Sequence, residues 1–202
     1  MMKTVRILTI FMMIITALSV GAMAGPVPDT GQTRSYTDTF GEDSDYSINP
    51  HSYTKLGQNG VVLPDTATQA EGWIMTKDNV TGLIWELKTD DGSIHDKDDG
   101  YRLQNAQDVF IAQLNSNSFG GYSDWRMPTV KELSWLVNSD IPYPGLTIDT
   151  AWFPHTVSSN YWSSTTYADY TYFAWRVYFY YGYVNYLNKS YSYYVRAVRG
   201  GQ

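Results

Sequence analysis

The chain has 202 residues, a formal net charge of −6, 43% hydrophobic residues and 17% charged residues, a composition typical of one folded domain. It contains no cysteine, which excludes disulfides, thiolate metal sites and cysteine nucleophiles. The acidic balance argues against a nucleic-acid partner, because phosphate binding needs a basic surface. Twelve of the 18 tyrosines fall between Tyr161 and Tyr194, and an account of function has to explain that cluster.

Residues 1–24 have the pattern of a signal peptide. Lys3 and Arg6 give a positive start, an apolar stretch covers residues 7–20, and Ala22-Met23-Ala24 has the small-x-small form of a cleavage site. The apolar stretch is shorter than the roughly 20 residues that cross a membrane, which favours cleavage over an uncleaved anchor. We therefore expect an exported protein, secreted or at the outer cell surface, with no membrane span after cleavage.

Residues 25–70 are polar and rich in turn-forming residues, which predicts an irregular N-terminal segment. The folded domain is expected to cover residues 71–202. Its first apolar runs, residues 73–75 and 83–85, are separated by the turn-forming sequence Asp78-Asn79-Val80-Thr81-Gly82, which predicts a β-hairpin. An acidic loop follows at residues 89–100.

Two helices are predicted after this loop. The first has apolar residues at helical spacing, which are Leu103, Ala106, Phe110 and Leu114. The second begins at Thr129, where Glu132 three residues later completes a capping box. We expect the second helix to end at Pro142 and Pro144, since proline removes a helical N–H donor.

The segment after Tyr161 is strand-like, with turns expected near Gly182 and Asn188-Lys189. Successive side chains of a strand point to opposite faces of the sheet. The set predicted to point inward is Trp175, Val177 and Phe179, and the set predicted to point outward is Arg176, Tyr178 and Tyr180. With Trp125 and Trp162, the inward set is expected to form a rigid platform under exposed tyrosines.

Exposed tyrosines beside serine, asparagine and glycine are typical of protein-binding surfaces, because each ring offers a large contact area and few rotatable bonds. The residues predicted to contact a ligand are Tyr170, Tyr172, Phe173, Arg176, Tyr178, Tyr180, Tyr181, Tyr183, Asn185, Tyr186, Asn188, Tyr191 and Tyr193. The partner would be a protein or a glycan. The alternative is a structural role, in which the tyrosine face pairs copies of the chain into a homo-oligomer or only reflects β-propensity.

Four ordered motifs resemble the Lcl C-terminal-like domain family, named after the C-terminal domain of a collagen-like adhesin. The motifs are Val80-Thr81-Gly82-Leu83-Ile84-Trp85-Glu86, Asp124-Trp125-Arg126-Met127-Pro128-Thr129-Val130-Lys131-Glu132-Leu133, Tyr161-Trp162-Ser163-Ser164-Thr165 and Tyr194-Val195-Arg196-Ala197-Val198-Arg199. The resemblance runs from about Glu71 to the end of the chain. It implies an α+β, C-type-lectin-like domain with a small twisted, mostly antiparallel sheet, two helices, long loops and paired N- and C-terminal strands.

The Trp125-Arg126-x-Pro128-Thr129-x-x-Glu132 element also resembles C-type lectin folds of the formylglycine-generating-enzyme type. Those enzymes use cysteines in catalysis, and this chain has none, so the enzymatic function does not carry over. With neither a nucleophile elbow nor a phosphate-binding glycine loop, we expect a binding protein and not an enzyme.

Residues 161–199 also resemble the variable region of a target protein of a diversity-generating retroelement. In such regions adenines are copied with errors, so an asparagine codon AAY can become any NNY codon. The predicted contact residues, together with Asp169, Leu187 and Ser192, are all of types that NNY codons can encode. Between Ser163 and Tyr194, only Trp175 and Lys189 are of types that NNY codons cannot encode. A fixed ligand-binding surface of the same fold, as in a glycan-binding adhesin, stays open as an alternative.

No cofactor is predicted. Asp96 and Asp98 are weak calcium candidates, but the loop lacks the glycine and closing glutamate of an EF-hand, which favours a solvated acidic loop. The three histidines are too scattered in sequence to indicate a metal site or an acid–base pair, and we expect loop residues. The C-terminal stretch has an excess of cations, and a sulfated glycan could exploit this if the resemblance to an adhesin domain holds. These cations are Arg176, Lys189, Arg196 and Arg199, against Asp169 alone.

Overall fold

The computed structural model describes residues 26–200, so the predicted signal peptide lies outside the described residues. The fold is α+β, as expected, but it contains two antiparallel sheets where one was predicted. The strands are β1 Tyr53–Leu56, β2 Met75–Asp78, β3 Ile84–Glu86, β4 Asn160–Thr166, β5 Phe173–Tyr178, β6 Tyr183–Asn188 and β7 Val198–Arg199. Between residues 26 and 200, no helix has both the length and the apolar character needed to cross a bilayer.

The first sheet has the strand order β1-β2-β3-β7 and contains the predicted hairpin as β2 and β3. The C-terminal strand β7 pairs with β3, whereas the first strand, β1, pairs with β2 at the opposite edge. The expected pairing of first and last strands is therefore wrong for this chain. The reason is that β1 arises from the segment predicted to be irregular and takes the edge of β2, which leaves only the outer edge of β3 for β7.

The first predicted helix is confirmed, and it is the main helix of the fold. It consists of three consecutive pieces, α1 Leu103–Asn105, a π-helix Ala106–Ile111 and α2 Ala112–Ser116. The four residues predicted for its buried side are between 0% and 5% exposed. They pack against Trp125, Trp162 and Val195 in the first of two hydrophobic cores.

The second helix, α3 Val130–Ser134, is shorter than predicted. Its capping box is present, because the Thr129 hydroxyl accepts from the Glu132 backbone N–H and the Glu132 carboxylate accepts from the Thr129 backbone N–H at 2.7 Å. The helix ends long before Pro142, which corrects the predicted end. Leu133 and Leu136 are buried in the second core, together with Trp85 and Phe153.

The motif around Arg126 closes the domain. Arg126 and Glu132 form a bidentate ion pair, with N···O distances of 2.9 and 2.7 Å, in which neither side chain is more than 25% exposed. The Arg126 backbone exchanges two hydrogen bonds with Val198, and its guanidinium also donates to the Gly200 carbonyl at 2.9 Å. This motif therefore holds the C-terminal strand, and its residues are fully engaged in structure.

We predict that Glu132→Gln lowers the free energy of unfolding by about 1–3 kcal/mol at pH 7, because it removes a partly buried charge partner of Arg126. Burial raises the pKa of Glu132, but the bonds from Arg126 and Thr129 outweigh burial and hold it below its ordinary value of 4.5. A lowered pKa contributes stability that is present above pH 4.5 and is lost as the pH falls through the native value. Urea denaturation at pH 7 and pH 3 tests this.

The difference between wild type and Glu132→Gln should thus shrink at pH 3. The matched control is Asp65→Asn, since Asp65 is exposed, and it should have little effect at either pH. A difference that is the same at both pH values would contradict the assignment of this ion pair.

Candidate ligand-binding surface

The tyrosine-rich segment forms the second sheet, in the order β4-β5-β6. In its β5–β6 hairpin, Trp175 lies opposite Tyr186 and Arg176 lies opposite Asn185. Since directly paired residues share a face, Trp175 and Tyr186 lie on one face and Arg176 and Asn185 on the other. The predicted contact residues are therefore divided between the two faces of the hairpin.

The two hydrophobic cores cover opposite faces of this sheet at opposite ends of β5. The first core covers Ala174, on the same face as Trp162 and Leu187. The second core covers Val177, on the other face. Each end of the hairpin consequently has one buried face and one open face, and the open face changes from one end to the other.

The open face near the start of β5 carries a set of aromatic rings in mutual contact, which we call the loop cluster. Its members are Tyr167, Tyr170, Tyr172, Phe173, Trp175 and Tyr186. Tyr167 and Tyr186 stack with centroids 4.0 Å apart and planes 5° from parallel. Trp175 packs edge-on against both rings, at 5.4 and 5.6 Å. The rings brace one another while their outer surfaces stay open.

The open face at the β5–β6 turn carries a second set, which we call the turn cluster. Its members are Tyr143, Tyr178, Tyr180, Tyr181 and Tyr183. Tyr143 reaches it from a distant loop, stacks on Tyr181 at 5.2 Å, and its hydroxyl accepts from the Tyr180 hydroxyl at 3.1 Å. The two clusters lie near opposite ends of β5, and their nearest members on this strand, Trp175 and Tyr178, are about 10 Å apart at the usual strand rise.

A close backbone approach fixes the turn cluster. Gly182 has a φ of +74°, and a Cβ placed on it would lie 2.9 Å from a methyl carbon of Val137. The Thr147 backbone N–H and hydroxyl both donate to the Phe179 carbonyl, at 2.8 and 2.7 Å. The loop that carries Tyr143 is thereby held against the turn.

The remaining predicted residues lie beside these clusters. Tyr193 packs edge-on against the buried Trp162 at 5.4 Å, and Tyr191 packs against Tyr193. The Arg176 guanidinium lies over the Tyr178 ring at 5.3 Å, and burial lowers its pKa. Its Nε and Nη1 atoms have no hydrogen-bond partner among residues 26–200. Asn185 is exposed. Asn188 is half-buried, and its side-chain Oδ1 accepts from the Ser190 backbone N–H.

All thirteen residues predicted to contact a ligand are exposed or half-buried in the structure. Val177 and Phe179 are buried, as predicted, and so are Trp125 and Trp162. The inward placement of Trp175 is wrong, because this residue is half-buried in the loop cluster and Ala174 is buried instead. Strand alternation predicts which residues share a face of the sheet. It does not predict which of the two faces a core covers at each end of the strand.

Three aromatic residues of these clusters were absent from the predicted set, namely Tyr143, Tyr167 and Trp175. Tyr167 belongs to the tyrosine-rich segment, so its composition was an available signal. Tyr143 lies far from that segment in sequence, between two prolines, and nothing local indicates that it stacks there. The pKa of Tyr167 is raised to about 12 by its hydrogen bond to Asp169, so its hydroxyl stays protonated at neutral pH.

The acidic loop contains one group of three carboxylates, Asp90, Asp96 and Asp98, whose oxygens lie within 4.8 Å of one another. Asp96 accepts from three backbone N–H groups of the same loop, at 2.6 to 2.9 Å. Lys97 donates to Asp90 and Asp98 at 2.9 and 3.0 Å. The loop thus satisfies these carboxylates with its own donors, and they have a structural role.

We predict that Trp162→Ala lowers the free energy of unfolding by about 3–5 kcal/mol, because it leaves a cavity in a packed core. Trp175→Ala should cost less than about 2 kcal/mol, since its ring is half-buried and its neighbours can close over the gap. Urea denaturation of both variants, with circular dichroism as the signal, measures the difference. Equal losses would place Trp175 back in the core.

The sequence model of the family described as the Lcl C-terminal domain matches residues 74–199. This range includes both sheets apart from β1 and all residues of both aromatic clusters. No curated protein matches the chain. The chain therefore belongs to the Lcl C-terminal domain family.

Proposed function

We propose that this protein is an exported, non-enzymatic binding protein of the adhesin or receptor type, and that the loop and turn clusters contact a protein or glycan ligand. The observation that carries the proposal is the exposure of so many tyrosines already ordered by ring contacts. Tyr172 is 55% exposed and Tyr183 60%, yet each ring contacts aromatic neighbours. Pre-ordered rings lose little conformational entropy on binding, so their contact area is converted efficiently into affinity.

The distance between the clusters bears on the size of the ligand. They open on different faces of one hairpin, and their nearest members on β5, Trp175 and Tyr178, are about 10 Å apart along the strand. A small molecule cannot reach both, whereas a macromolecule that wraps the end of the sheet can. We therefore expect a large ligand with separate contacts at the two clusters, and each cluster should contribute to affinity.

The resemblance to retroelement targets leads to a second part of the proposal, that residues of this surface are diversified. Exposed side chains can change with little cost in stability, and most residues of both clusters are of types that NNY codons can encode. The incompatible Lys189 has a structural task, since its ammonium donates to the Thr166 hydroxyl at 2.8 Å and its carbonyl accepts from the Leu103 backbone N–H. Such a division between anchoring and open positions is what diversification requires.

We predict that Tyr183→Ala and Tyr186→Ala each weaken ligand binding at least about thirtyfold, because central aromatic residues dominate interface energetics. The probes are an array of neutral and sulfated oligosaccharides and a panel of purified surface proteins. The affinity for the probe that binds most tightly is then measured by biolayer interferometry. The unfolding free energy of both variants should change by less than about 1 kcal/mol, since both side chains are exposed.

The matched control is Tyr36→Ala, because Tyr36 is 63% exposed, as much as Tyr183, and lies outside both clusters. It should bind like the wild type. Unchanged binding by both Tyr183→Ala and Tyr186→Ala would contradict the proposal. The absence of binding to every probe would contradict it as well. A solution mass above that of the monomer, reduced to the monomer by Tyr183→Ala, would instead establish the self-assembly role.

Diversification makes a separate prediction about the DNA beside the gene. A near-copy of the segment that encodes residues 163–194 should be present, and it should differ from the gene only where the copy carries adenine. Sequencing of the flanking region checks this. Differences at other bases, or no such copy, would leave a surface of fixed specificity.

A further inference from the structure

A cavity of about 350 Å³ lies at the open end of the β2–β3 hairpin, next to the acidic loop. It shares no residue with the loop cluster or the turn cluster. Its polar and aromatic walls include Gln69, Asp90, Asp91, His95, Phe119 and His155. Its volume is in the range of sites for small molecules. Two of the three histidines, expected to be unrelated loop residues, thus meet at one site.

His95 is held from behind by a buried carboxylate. Glu86 is 0% exposed, and its carboxylate accepts from Lys88 Nζ at 3.1 Å and from the Ala197 backbone N–H at 3.0 Å. Burial raises the pKa of Glu86, but Lys88 and His95 outweigh burial and hold it below its ordinary value. The ionised carboxylate can only accept, so the 2.9 Å contact to His95 Nδ1 requires a proton on that nitrogen.

In a neutral ring that carries its proton on Nδ1, Nε2 keeps a lone pair and can accept a hydrogen bond. Nε2 lies on the ring edge opposite Glu86, and within residues 26–200 it has no hydrogen-bond partner. Phe119 packs against the ring, with the centroids 4.2 Å apart and the planes tilted by 35°. The neutral ring therefore offers the cavity an acceptor that no other group of the described residues uses.

His155 is fixed in a similar way on the other side. Gln69 Nε2 donates to the Lys88 carbonyl at 2.7 Å, so Gln69 Oε1 is the atom that accepts from His155 Nε2 at 3.1 Å. His155 has a φ of +56°, in the left-handed region. Such a conformation is strained for a residue other than glycine, and strained residues cluster at ligand sites.

The walls thus offer hydrogen-bond acceptors and negative charge beside aromatic and apolar surface. Lys97 neutralises Asp90, but Asp91 is exposed and bonds only within its own loop. We propose that this cavity binds a small organic cation, a primary ammonium group on an apolar frame. The ammonium donates to the Asp91 carboxylate and to His95 Nε2, and the apolar part packs against Phe119 and Leu87.

Other ligand classes fit less well. An anion would face Asp90 and Asp91, and like charges at short distance are repulsive. A metal ion needs several donor atoms close together, and among residues 26–200 the one such group found contains neither histidine. A neutral hydroxylated ligand could use the same acceptors but would gain nothing from the charge of Asp91.

The test uses three molecules of similar shape, benzylamine, benzyl alcohol and benzoate, titrated into the full chain and followed by calorimetry and by the NMR signals of the His95 ring. Benzylamine should bind at millimolar concentration or below. Benzyl alcohol should bind at least about tenfold more weakly, since it lacks the charge that pairs with Asp91, and benzoate should not bind. The His95 ring signals should shift with benzylamine.

Asp91→Asn keeps the shape of the loop and should weaken benzylamine binding about tenfold, whereas Asp65→Asn, an exposed carboxylate elsewhere, should not. Tyr183→Ala should leave benzylamine binding unchanged, which separates this site from the macromolecular surface. Absence of benzylamine binding, equal binding of benzyl alcohol, or full binding by Asp91→Asn would each overturn the proposal.

Discussion

A single buried carboxylate, Glu86, joins a strand of the first sheet to the acidic loop and to the C-terminal part of the chain. Its side chain accepts from Lys88 on the same segment, from His95 in the acidic loop and from the Ala197 backbone at the C-terminus. Its backbone carbonyl accepts from the buried guanidinium of Arg196 at 2.8 Å. Taking these charges out of water is costly, and removal of one partner would leave the others buried and unpaired, so the network ties the three segments together.

This closure allows the tyrosine-rich segment to present its outward rings at the surface while its inward residues, such as Val177 and Phe179, fill a core. The segment is held at both ends by groups outside it, by the Arg126–Glu132 ion pair behind β7 and by the first core beneath Trp162. Between these anchors, the cores take only one face of β5 at each end. The outward rings of the two clusters are therefore available for the ligand contact that we propose, because most of their surface is not used in core packing.

Much of this organisation could be predicted from local pattern. The hairpin, the capping box at Thr129 and the buried side of the main helix follow from turn chemistry and periodicity, which depend on neighbours in sequence. Trp175 shows where such reasoning ends. Its face was predicted correctly relative to Val177, but whether that face is covered depends on where each core lies, and that is set by long-range packing.

The cavity illustrates the same limit for chemistry. His95 and His155 are separated by some 60 residues, and neither has a motif, so only the folded chain shows that they meet. Glu86, the carboxylate that positions His95, lies in one of the motifs that resemble the family. That resemblance predicted the family of the chain but assigned no role to Glu86.

The structure also separates two regions that would be expected to evolve differently. The cavity is built from residues between 69 and 155, and its supporting contact to Ala197 lies after the last tyrosine of the chain, Tyr194. Substitutions at exposed positions between 163 and 194 would leave its walls and the Glu86 network intact. If the aromatic clusters are diversified, the small-molecule site at the hairpin would therefore stay the same in all variants. One chain would then combine a variable surface for macromolecules with a constant site for a small molecule.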